Sequence, residues 1–153
     1  RIANLNKDFK FNIIGDGFLR KEAELYLKKH KIFNVEIHGN KENVFSFLYK
    51  ADLFLSSSLY EGLPISILEA MSIGLPIVAS DVVGNNDLII HEETGFLYEL
   101  GDFKMASEYI KKIINDRNLN RKISLNSFER QRSFFSTKIM KNQYLNLYQR
   151  FMR

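Results

Sequence analysis

The sequence predicts an α/β fold, a Rossmann-like layer in which a parallel sheet is covered by helices on both faces. Short apolar runs alternate with longer amphipathic segments along the chain, as strands and helices do. These runs are continuously apolar, which is typical of parallel strands buried on both faces. Several of them end at glycine-containing turns. Because β-to-α connections are right-handed by default, the pattern favours a doubly wound, three-layer α/β/α arrangement.

The first half of the chain supplies three predicted strands and two predicted helices. Residues 18–30 keep one apolar side opposite Arg, Lys and Glu, and residues 43–50 follow Asn43, a candidate helix cap. The opening residues read as the end of a helix that leads into the first strand. The predicted strands are residues 11–14, 35–38 and 53–56, which end at Gly15-Asp16-Gly17, at Gly39-Asn40 and at Ser57-Ser58.

The second half begins with a helix predicted over residues 64–73, since proline suits a first helical position and Gly74 suits a helix end. Residues 76–79 form a strand rich in β-branched side chains, followed by a loop at Gly84–Asn86. A last strand is expected at residues 96–98. The predicted closing helices are residues 103–115, 117–133 and 136–153.

Length and composition point to one domain over residues 1–153. The chain is 45% apolar and contains no cysteine, which excludes disulfides, thiolate catalysis and Cys-based metal sites. No apolar run approaches the ~20 residues of a membrane span, and the polar first residues do not resemble a signal peptide. The three histidines lack metal-ligand spacing, so no metal site is predicted.

The net charge of +4 is unevenly distributed. Residues 1–110 hold 11 Lys/Arg and 16 Asp/Glu, whereas residues 111–153 hold 11 Lys/Arg and 2 Asp/Glu. A basic segment of this kind is either a solvated helix face or a surface for an anionic partner, such as lipid headgroups or nucleic acid. Charge alone favours the solvated face. Nucleic-acid binding is not predicted, because the basic residues are not interleaved with an aromatic platform.

The segment EGLPISILE, from Glu61 to Glu69, is the strongest candidate site. Glu61 follows a predicted strand, and Glu69 lies about two turns away from it, inside the next helix. The free amides of Gly62, Leu63 and Ile65 near the helix start suit a phosphate, with Pro64 at the first turn. A carboxylate is a suitable acceptor for two vicinal hydroxyls, such as a ribose diol. Two glutamates at this spacing also arise by chance, so the pair alone is a weak signal.

The residues around this pair resemble the retaining GT-B glycosyltransferases of family 4 type. The resemblance lies in SLYEGLPI from Ser58, LEAM from Leu68 and GLPIVA from Gly74, where two glutamates separated by seven residues precede Ala-Met and a Gly-x-Pro strand. The turn from Gly15 to Arg20 is similar to the family's Gly-x-Gly-Pro-x-Arg turn, with Phe18 in place of proline. Ile37-His38-Gly39, Thr94-Gly95 and the last helix also resemble it, so the likeness covers essentially the whole chain.

The resemblance implies a donor site for a nucleotide diphosphate sugar. It assigns Glu69 to the ribose and Glu61 to the transferred sugar or the reacting carbon. The backbone from Gly62 through Leu63 and Pro64 to Ile65, with donating amides at all but the proline, would meet phosphates and sugar hydroxyls. The backbone at His38 and Gly39 would lie along the edge of the nucleotide base, and Gly15 and Gly17 would approach the phosphates. It implies no metal and no cofactor, with a UDP-sugar as first candidate donor and a GDP-sugar as second.

The same resemblance implies a hexosyltransferase of bacterial capsule, lipopolysaccharide or other polysaccharide biosynthesis, acting with retention on a glycan or lipid-linked acceptor. It places the protein in the cytoplasm or on the inner face of the cytoplasmic membrane, held by the basic segment 111–153. No residue matches the family's diphosphate-clamping Arg and Lys. We therefore expect a donor-binding half whose acceptor domain lies upstream, and little activity from the isolated chain.

Three other interpretations remain open at this stage. A dinucleotide fingerprint at Gly15-x-Gly17 is weak, because Arg20 stands where Gly or Ala belongs. A Rossmann-like binding module without chemistry would bind no nucleotide sugar, and Glu69→Ala would change nothing in it. A sugar-nucleotide 2-epimerase shares the two-domain architecture, but the Gly-Leu-Pro-Ile segment between the glutamates favours a transferase.

Overall fold

The computed structural model describes residues 1–152 and contains five strands with helices between and after them. The strands are β1 (Phe11–Ile14), β2 (Val35–Gly39), β3 (Phe54–Ser56), β4 (Ile77–Ser80) and β5 (Phe96–Tyr98). The helices are α1 (Ile2–Leu5), α2 (Arg20–Lys29), α3 (Phe45–Leu48), α4 (Ile65–Ser72), α5 (Asn85–Leu88), α6 (Phe103–Asn115), α7 (Arg117–Arg130) and α8 (Thr137–Phe151).

All the strand pairs are parallel, as the apolar runs predict. Strand β4 lies between β3 and β5, with Val78 opposite both Leu55 and Phe96. Strands β1 and β2 pair separately, with Ile13 opposite Ile37. The described strands therefore form a three-stranded and a two-stranded sheet. The α/β class and the parallel pairing are confirmed, and the division into two sheets is a feature that the sequence pattern did not indicate.

The division of the sheet shows in the burial of its strands. Every residue of β4 is buried, because a strand lies on each side of it. Strand β3 has an equally apolar beginning but is only half-buried, and Ile13 in β1 is 47% exposed. Apolar composition alone made β3 and β4 indistinguishable. Strand β4 lies between two strands and contributes to both cores, whereas β3 lies at an edge of the sheet.

Two separate cores cover opposite faces of the three-stranded sheet, which confirms the three-layer architecture. One core joins α4 and α5 to Ile77 and Ala79 of β4. The other joins α1, α6 and α7 to Val78 of the same strand. Alternate residues of β4 thus face different helical layers, as the two-residue period of a strand requires.

The closing helices agree with the sequence prediction, with one refinement. Asp116 caps α7 by accepting the amides of Asn118 and Leu119, and Ser136 caps α8 by accepting that of Ile139. Between them lies a π-helical turn at Gln131–Phe135, where the sequence predicted α-helix to residue 133. The predicted loop at Gly84–Asn86 contains the start of α5, a short helix that the turn-like residues concealed.

Helix α8 contacts little of the domain, and every residue from 140 to 151 is exposed. Its apolar residues share one stripe, as predicted: Met140, Tyr144, Leu147, Tyr148 and Phe151. None of the helices in residues 1–152 combines the length and the apolar character needed to cross a membrane.

Candidate functional site

The glycine loops that follow β1 and β2 lie against each other. The amide of Gly15 donates to the carbonyl of Gly39 at 2.9 Å, and the two residues form an isolated bridge. Gly39 is buried with a left-handed φ of 69°, and a Cβ there would come 2.6 Å from the Arg20 guanidinium. A side chain at position 39 would therefore be strained by this φ and would displace the Arg20 guanidinium. The sequence predicted both loops at one ligand-binding edge, and the structure brings them together.

The turn from Gly15 to Arg20 is held by Asp16. Its carboxylate accepts the amide of Gly17 at 2.8 Å and pairs with Arg20 at 2.8 Å. The backbone bond from Gly17 and then the Arg20 contact keep the pKa of Asp16 below its ordinary value. Arg20 also pairs with Glu24 at 2.9 Å, so its charge is compensated within the turn. A Cβ at Gly17 would meet nothing within 4 Å, which leaves its surface open to a ligand.

The side chain of His38 is turned toward the helical layer. Its Nε2 lies 2.9 Å from Oδ1 of Asn12, and its ring packs on Phe47 of α3 with centroids 4.8 Å apart. Nδ1 lies 3.6 Å from the Glu36 carboxylate. The imidazole is thus engaged within the protein, and what position 38 offers at the strand end is its backbone. The role predicted for His38, beside the nucleotide base, therefore depends on its backbone and not on its imidazole.

Glu61 lies in the loop between β3 and α4, as expected. Ser58 Oγ donates to Glu61 Oε1 at 2.7 Å, and the Glu61 amide donates to the carbonyl of Val83 at 3.2 Å. Neighbouring Leu59 and Tyr60 are 71% and 82% exposed. Among residues 1–152, Glu61 forms no ion pair. The carboxylate is therefore held by a neutral donor and keeps its charge available to a ligand.

Buried polar side chains fix the loop that carries Glu61. Ser80, at the end of β4, is fully buried and donates to the carbonyl of Ser58 at 2.7 Å. The Tyr98 hydroxyl donates to the carbonyl of Ser56 at 3.2 Å. Asn85 is also fully buried and donates to the carbonyl of Ser80 at 2.9 Å. The ends of β4 and β5 thus support the loop after β3, a role that no motif in the sequence indicated.

Helix α4 begins at Ile65, with buried Pro64 in an extended conformation before it. The Pro64 carbonyl accepts the amides of Ile67 and Leu68. Within the described chain, no acceptor is recorded for the amides of Gly62, Leu63 and Ile65. Gly62 and Leu63 are exposed, so these amides form an open, electropositive helix start.

Glu69 lies one turn into α4 from Ile65, on the same side of the helix because the two are four residues apart. Glu69 is half-buried, and it forms no recorded ion pair within residues 1–152. Ile67, Ala70 and Met71 form the buried side of α4. Glu69 is therefore a partly desolvated carboxylate without a cationic partner, beside the open start of its own helix.

The predicted site residues form two groups. The first comprises Gly15, Gly17 and Gly39, and the second comprises Glu61 to Ile65 with Glu69. No hydrogen bond recorded in residues 1–152 joins the groups. Both lie where strands of a parallel sheet end, the position at which doubly wound domains bind ligands. The fold and these loops define a doubly wound α/β domain with open amides and with carboxylates that lack a cationic partner.

Residues 1–130 match the family described as glycosyl transferases group 1, and the chain belongs to this family. Its fold is that of the GT-B glycosyltransferases. The chain is 36% identical over 123 residues to UDP-Gal:alpha-D-GlcNAc-diphosphoundecaprenol alpha-1,3-galactosyltransferase of Escherichia coli. The matched region covers 76% of this chain and 31% of that protein. It is 28% identical to the capsular polysaccharide biosynthesis glycosyltransferase CapM of Staphylococcus aureus, over 97% of this chain and 40% of CapM.

Among solved structures, the chain is similar to the S. aureus TarM G117R mutant in complex with fondaparinux, alpha-GlcNAc-glycerol and UDP. The TM-score is 0.88 at 26% identity, covering 96% of this chain and 30% of TarM. The chain thus spans about a third of that protein and of the E. coli enzyme, and 40% of CapM. The relatives are glycosyltransferases, and the chain is similar to one part of each of them.

Proposed function

We propose that this chain supplies the donor site for transfer of a hexosyl group, with retention of configuration, from a nucleotide diphosphate sugar to a glycan or lipid-linked acceptor. The observation that carries the proposal is the open start of α4, whose free amides lie between Glu61 and Glu69. Amides and helix dipole favour the diphosphate, and the two carboxylates favour hydroxyl-bearing groups on either side of it.

Each part of the donor has a matching group in this arrangement. The Glu69 carboxylate binds the ribose diol, and Glu61 contacts the transferred sugar beside the reacting carbon. The amides of Gly62, Leu63 and Ile65 bind phosphate and sugar oxygens, and the Gly15–Gly17 turn approaches the phosphates. The backbone at His38 and Gly39 lies along the edge of the nucleotide base.

The chemical task of such a site is to stabilise the leaving diphosphate. Charge grows on that group as the bond to the sugar breaks, and amides already aimed at it need no reorganisation. We propose that the reaction needs no metal and that the diphosphate takes the acceptor's proton. Retention is tested with the full-length protein, by following the anomeric proton of the product with NMR. A product of inverted configuration contradicts this part of the proposal.

A UDP-sugar is the first candidate donor and a GDP-sugar the second. The E. coli relative is named for UDP-Gal and for a diphosphoundecaprenol-linked acceptor, and UDP is bound in the TarM complex. We extend the same donor class and a lipid-linked acceptor to this protein. It would then work in polysaccharide or capsule biosynthesis at the cytoplasmic side of the membrane.

We also propose that the basic segment 111–153 contacts an anionic membrane face. On α7, Arg117, Arg121 and Lys122 are exposed, and on α8 basic residues flank the exposed apolar stripe. Two other basic residues serve the fold: Lys112 pairs with Glu92, and Arg130 binds backbone carbonyls. Binding to vesicles that contain anionic lipid, exceeding that to neutral vesicles, is the expected result. Equal binding to both contradicts membrane contact.

The donor assignment is tested by titrating the chain with UDP, GDP and their sugar derivatives in a calorimeter. We expect saturable binding of a UDP-sugar and at least tenfold weaker binding by Glu69→Ala, since a lost hydrogen bond to a charged group is worth about 1.5–3 kcal/mol. Glu108→Ala, an exposed glutamate on α6, is the matched control and should bind normally. Absence of any nucleotide-sugar binding favours an inert binding module instead, and unchanged affinity in Glu69→Ala contradicts the role given to Glu69.

A further inference from the structure

The two carboxylate oxygens of Glu61 differ in their surroundings. Oε1 accepts a hydrogen bond from Ser58 Oγ at 2.7 Å. No partner for Oε2 is recorded among residues 1–152. One oxygen is therefore fixed by the protein, and the other is free to accept from a ligand.

Ser58 is itself held in place by the end of the neighbouring strand. Its carbonyl accepts from Ser80 Oγ at 2.7 Å, and its hydroxyl lies 3.3 Å from that of Ser56. Ser80 is fully buried, and its hydroxyl lies 3.3 Å from Asn85 Nδ2. A donor anchored in this way is pre-organised, so its bond to Glu61 costs little further ordering.

The backbone of Glu61 is fixed from the other side. Its amide donates to the Val83 carbonyl at 3.2 Å. Gly84 packs so closely that a Cβ there would lie 2.7 Å from the Glu61 carbonyl oxygen. With the backbone held at Val83 and Gly84 and Oε1 held at Ser58, few rotamers remain to the Glu61 side chain.

We propose that Ser58 is the positioning residue of Glu61, directing Oε2 to the sugar of the bound donor. The proposal rests on the proposed function, in which Glu61 contacts that sugar. A free glutamate loses rotamer freedom when it binds, and Ser58 removes that cost in advance. The effect of Ser58 is therefore confined to the sugar half of the donor and absent from the nucleotide half.

The first test compares the affinities of UDP and of a UDP-sugar, chosen from UDP-glucose, UDP-galactose and UDP-N-acetylglucosamine as the one the chain binds best. Ser58→Ala should weaken UDP-sugar binding about tenfold and leave UDP binding unchanged. Ser58→Thr keeps the hydroxyl and should restore binding, and exposed Ser57→Ala is the matched control. An equal loss for UDP and UDP-sugar, or no rescue by threonine, overturns the proposal.

A double-mutant cycle shows whether Ser58 acts through Glu61. In a Glu61→Ala background, Ser58→Ala should cause no further loss of UDP-sugar affinity. An additive loss means that Ser58 acts independently, which overturns the positioning role while leaving the donor site intact.

A readout without any ligand separates this proposal from the proposed function. The side-chain carboxyl carbon signal of Glu61 in NMR should shift in Ser58→Ala and stay in place in Ser57→Ala. If the signal shifts but no UDP-sugar binds the wild-type chain, the hydrogen bond stands while the donor site and the positioning role both fail. If the signal does not shift, the Ser58–Glu61 bond does not exist in solution and the proposal is wrong.

Discussion

Gly84 and Gly101 both adopt left-handed backbone torsions, with φ of 88° and 95°, but only Gly84 is packed against another segment. A Cβ at Gly101 would meet nothing within 4 Å, whereas a Cβ at Gly84 would overlap the Glu61 backbone. The pair therefore separates two costs of replacing glycine. Gly101 carries the torsional cost alone, and Gly84 carries that cost together with displacement of the Glu61 loop.

We expect Gly101→Ala to lower the free energy of unfolding by about 1 kcal/mol, the cost of a left-handed alanine. Gly84→Ala should lower it by about 2–4 kcal/mol, because overpacking is added. Urea denaturation of both variants measures the difference. Equal destabilisation would mean that the Glu61 loop is free of Gly84 in solution.

The Tyr98 hydroxyl gives the protein a dependence on alkaline pH. Burial raises its pKa above the ordinary value, because the phenolate is poorly solvated. The unfolded chain then ionises at lower pH than the folded protein. The stabilisation is complete below about pH 10, the ordinary tyrosine pKa, and is lost as pH rises through the raised pKa.

Denaturation at pH 8 and at pH 11 tests this expectation. Wild-type protein should lose more stability between the two values than Tyr98→Phe, which has no proton to lose at that position. At pH 8 the variant should itself be less stable by about 1 kcal/mol, since the bond to the Ser56 carbonyl is missing. An equal loss in both proteins contradicts the burial of this hydroxyl.

At the scale of elements, α5 shows how a short helix is stabilised from outside. Arg130 of α7 donates to the carbonyls of Leu88 and Asp87 at 2.6 and 3.0 Å, at the end of α5. Its guanidinium also lies over the rings of Phe134 and Phe135. From the sequence alone, Gly84 to Asn86 look like a turn. Arg130, which stabilises the end of α5, is 42 positions from Leu88, so no local pattern indicates the helix.

Arg130→Ala should destabilise the protein by about 1–3 kcal/mol, because the last carbonyls of α5 lose charged donors. Arg132→Ala, an exposed arginine two residues further on, removes the same charge and should cost less than about 0.5 kcal/mol. Thermal denaturation compares the two. Similar effects would show that charge alone, and not the contact with α5, is responsible.

The elements that the sequence located best are those defined by local chemistry. Helix α6 has the predicted bounds, and its N-cap Asp102 accepts the amide of Met105. Asp116 and Ser136 likewise mark the starts of α7 and α8. The sequence missed the π-helical turn before α8, where Arg130 lies over the rings of Phe134 and Phe135.

At the scale of the whole molecule, the division of the strands into two sheets predicts that local stability differs between the sheets. Strand β4 is fully buried between two neighbours, whereas β1 and β2 form a pair with exposed residues. Local opening is easiest where few apolar contacts hold the backbone. Hydrogen exchange should therefore be slowest in β4 and faster in β1 and β2. Uniform protection of all five strands would contradict this division.

The sequence predicted the doubly wound class because apolar runs and turns are local features. It also placed Glu61 and the glycine loops at strand ends, and Glu69 in the helix that follows Glu61. It could not reveal Ser80, Asn85 and Tyr98, because serine, asparagine and tyrosine near strand ends are ordinary. Ser80 and Tyr98 act through contacts 22 and 42 positions away, to Ser58 and Ser56, and Asn85 acts through Ser80. The basic charge was also visible, but not that Arg130 and Lys112 serve internal contacts.

The central claim is that the two groups of site residues bind one nucleotide-sugar donor. Backbone amide NMR of the chain during titration with UDP and a UDP-sugar tests it most directly. The account predicts shifts at Gly15–Gly17, at Ile37–Gly39 and at Gly62–Glu69, with the signals near Glu61 responding more to the UDP-sugar than to UDP. Shifts confined to one group, or confined to other surfaces, would contradict a shared donor site.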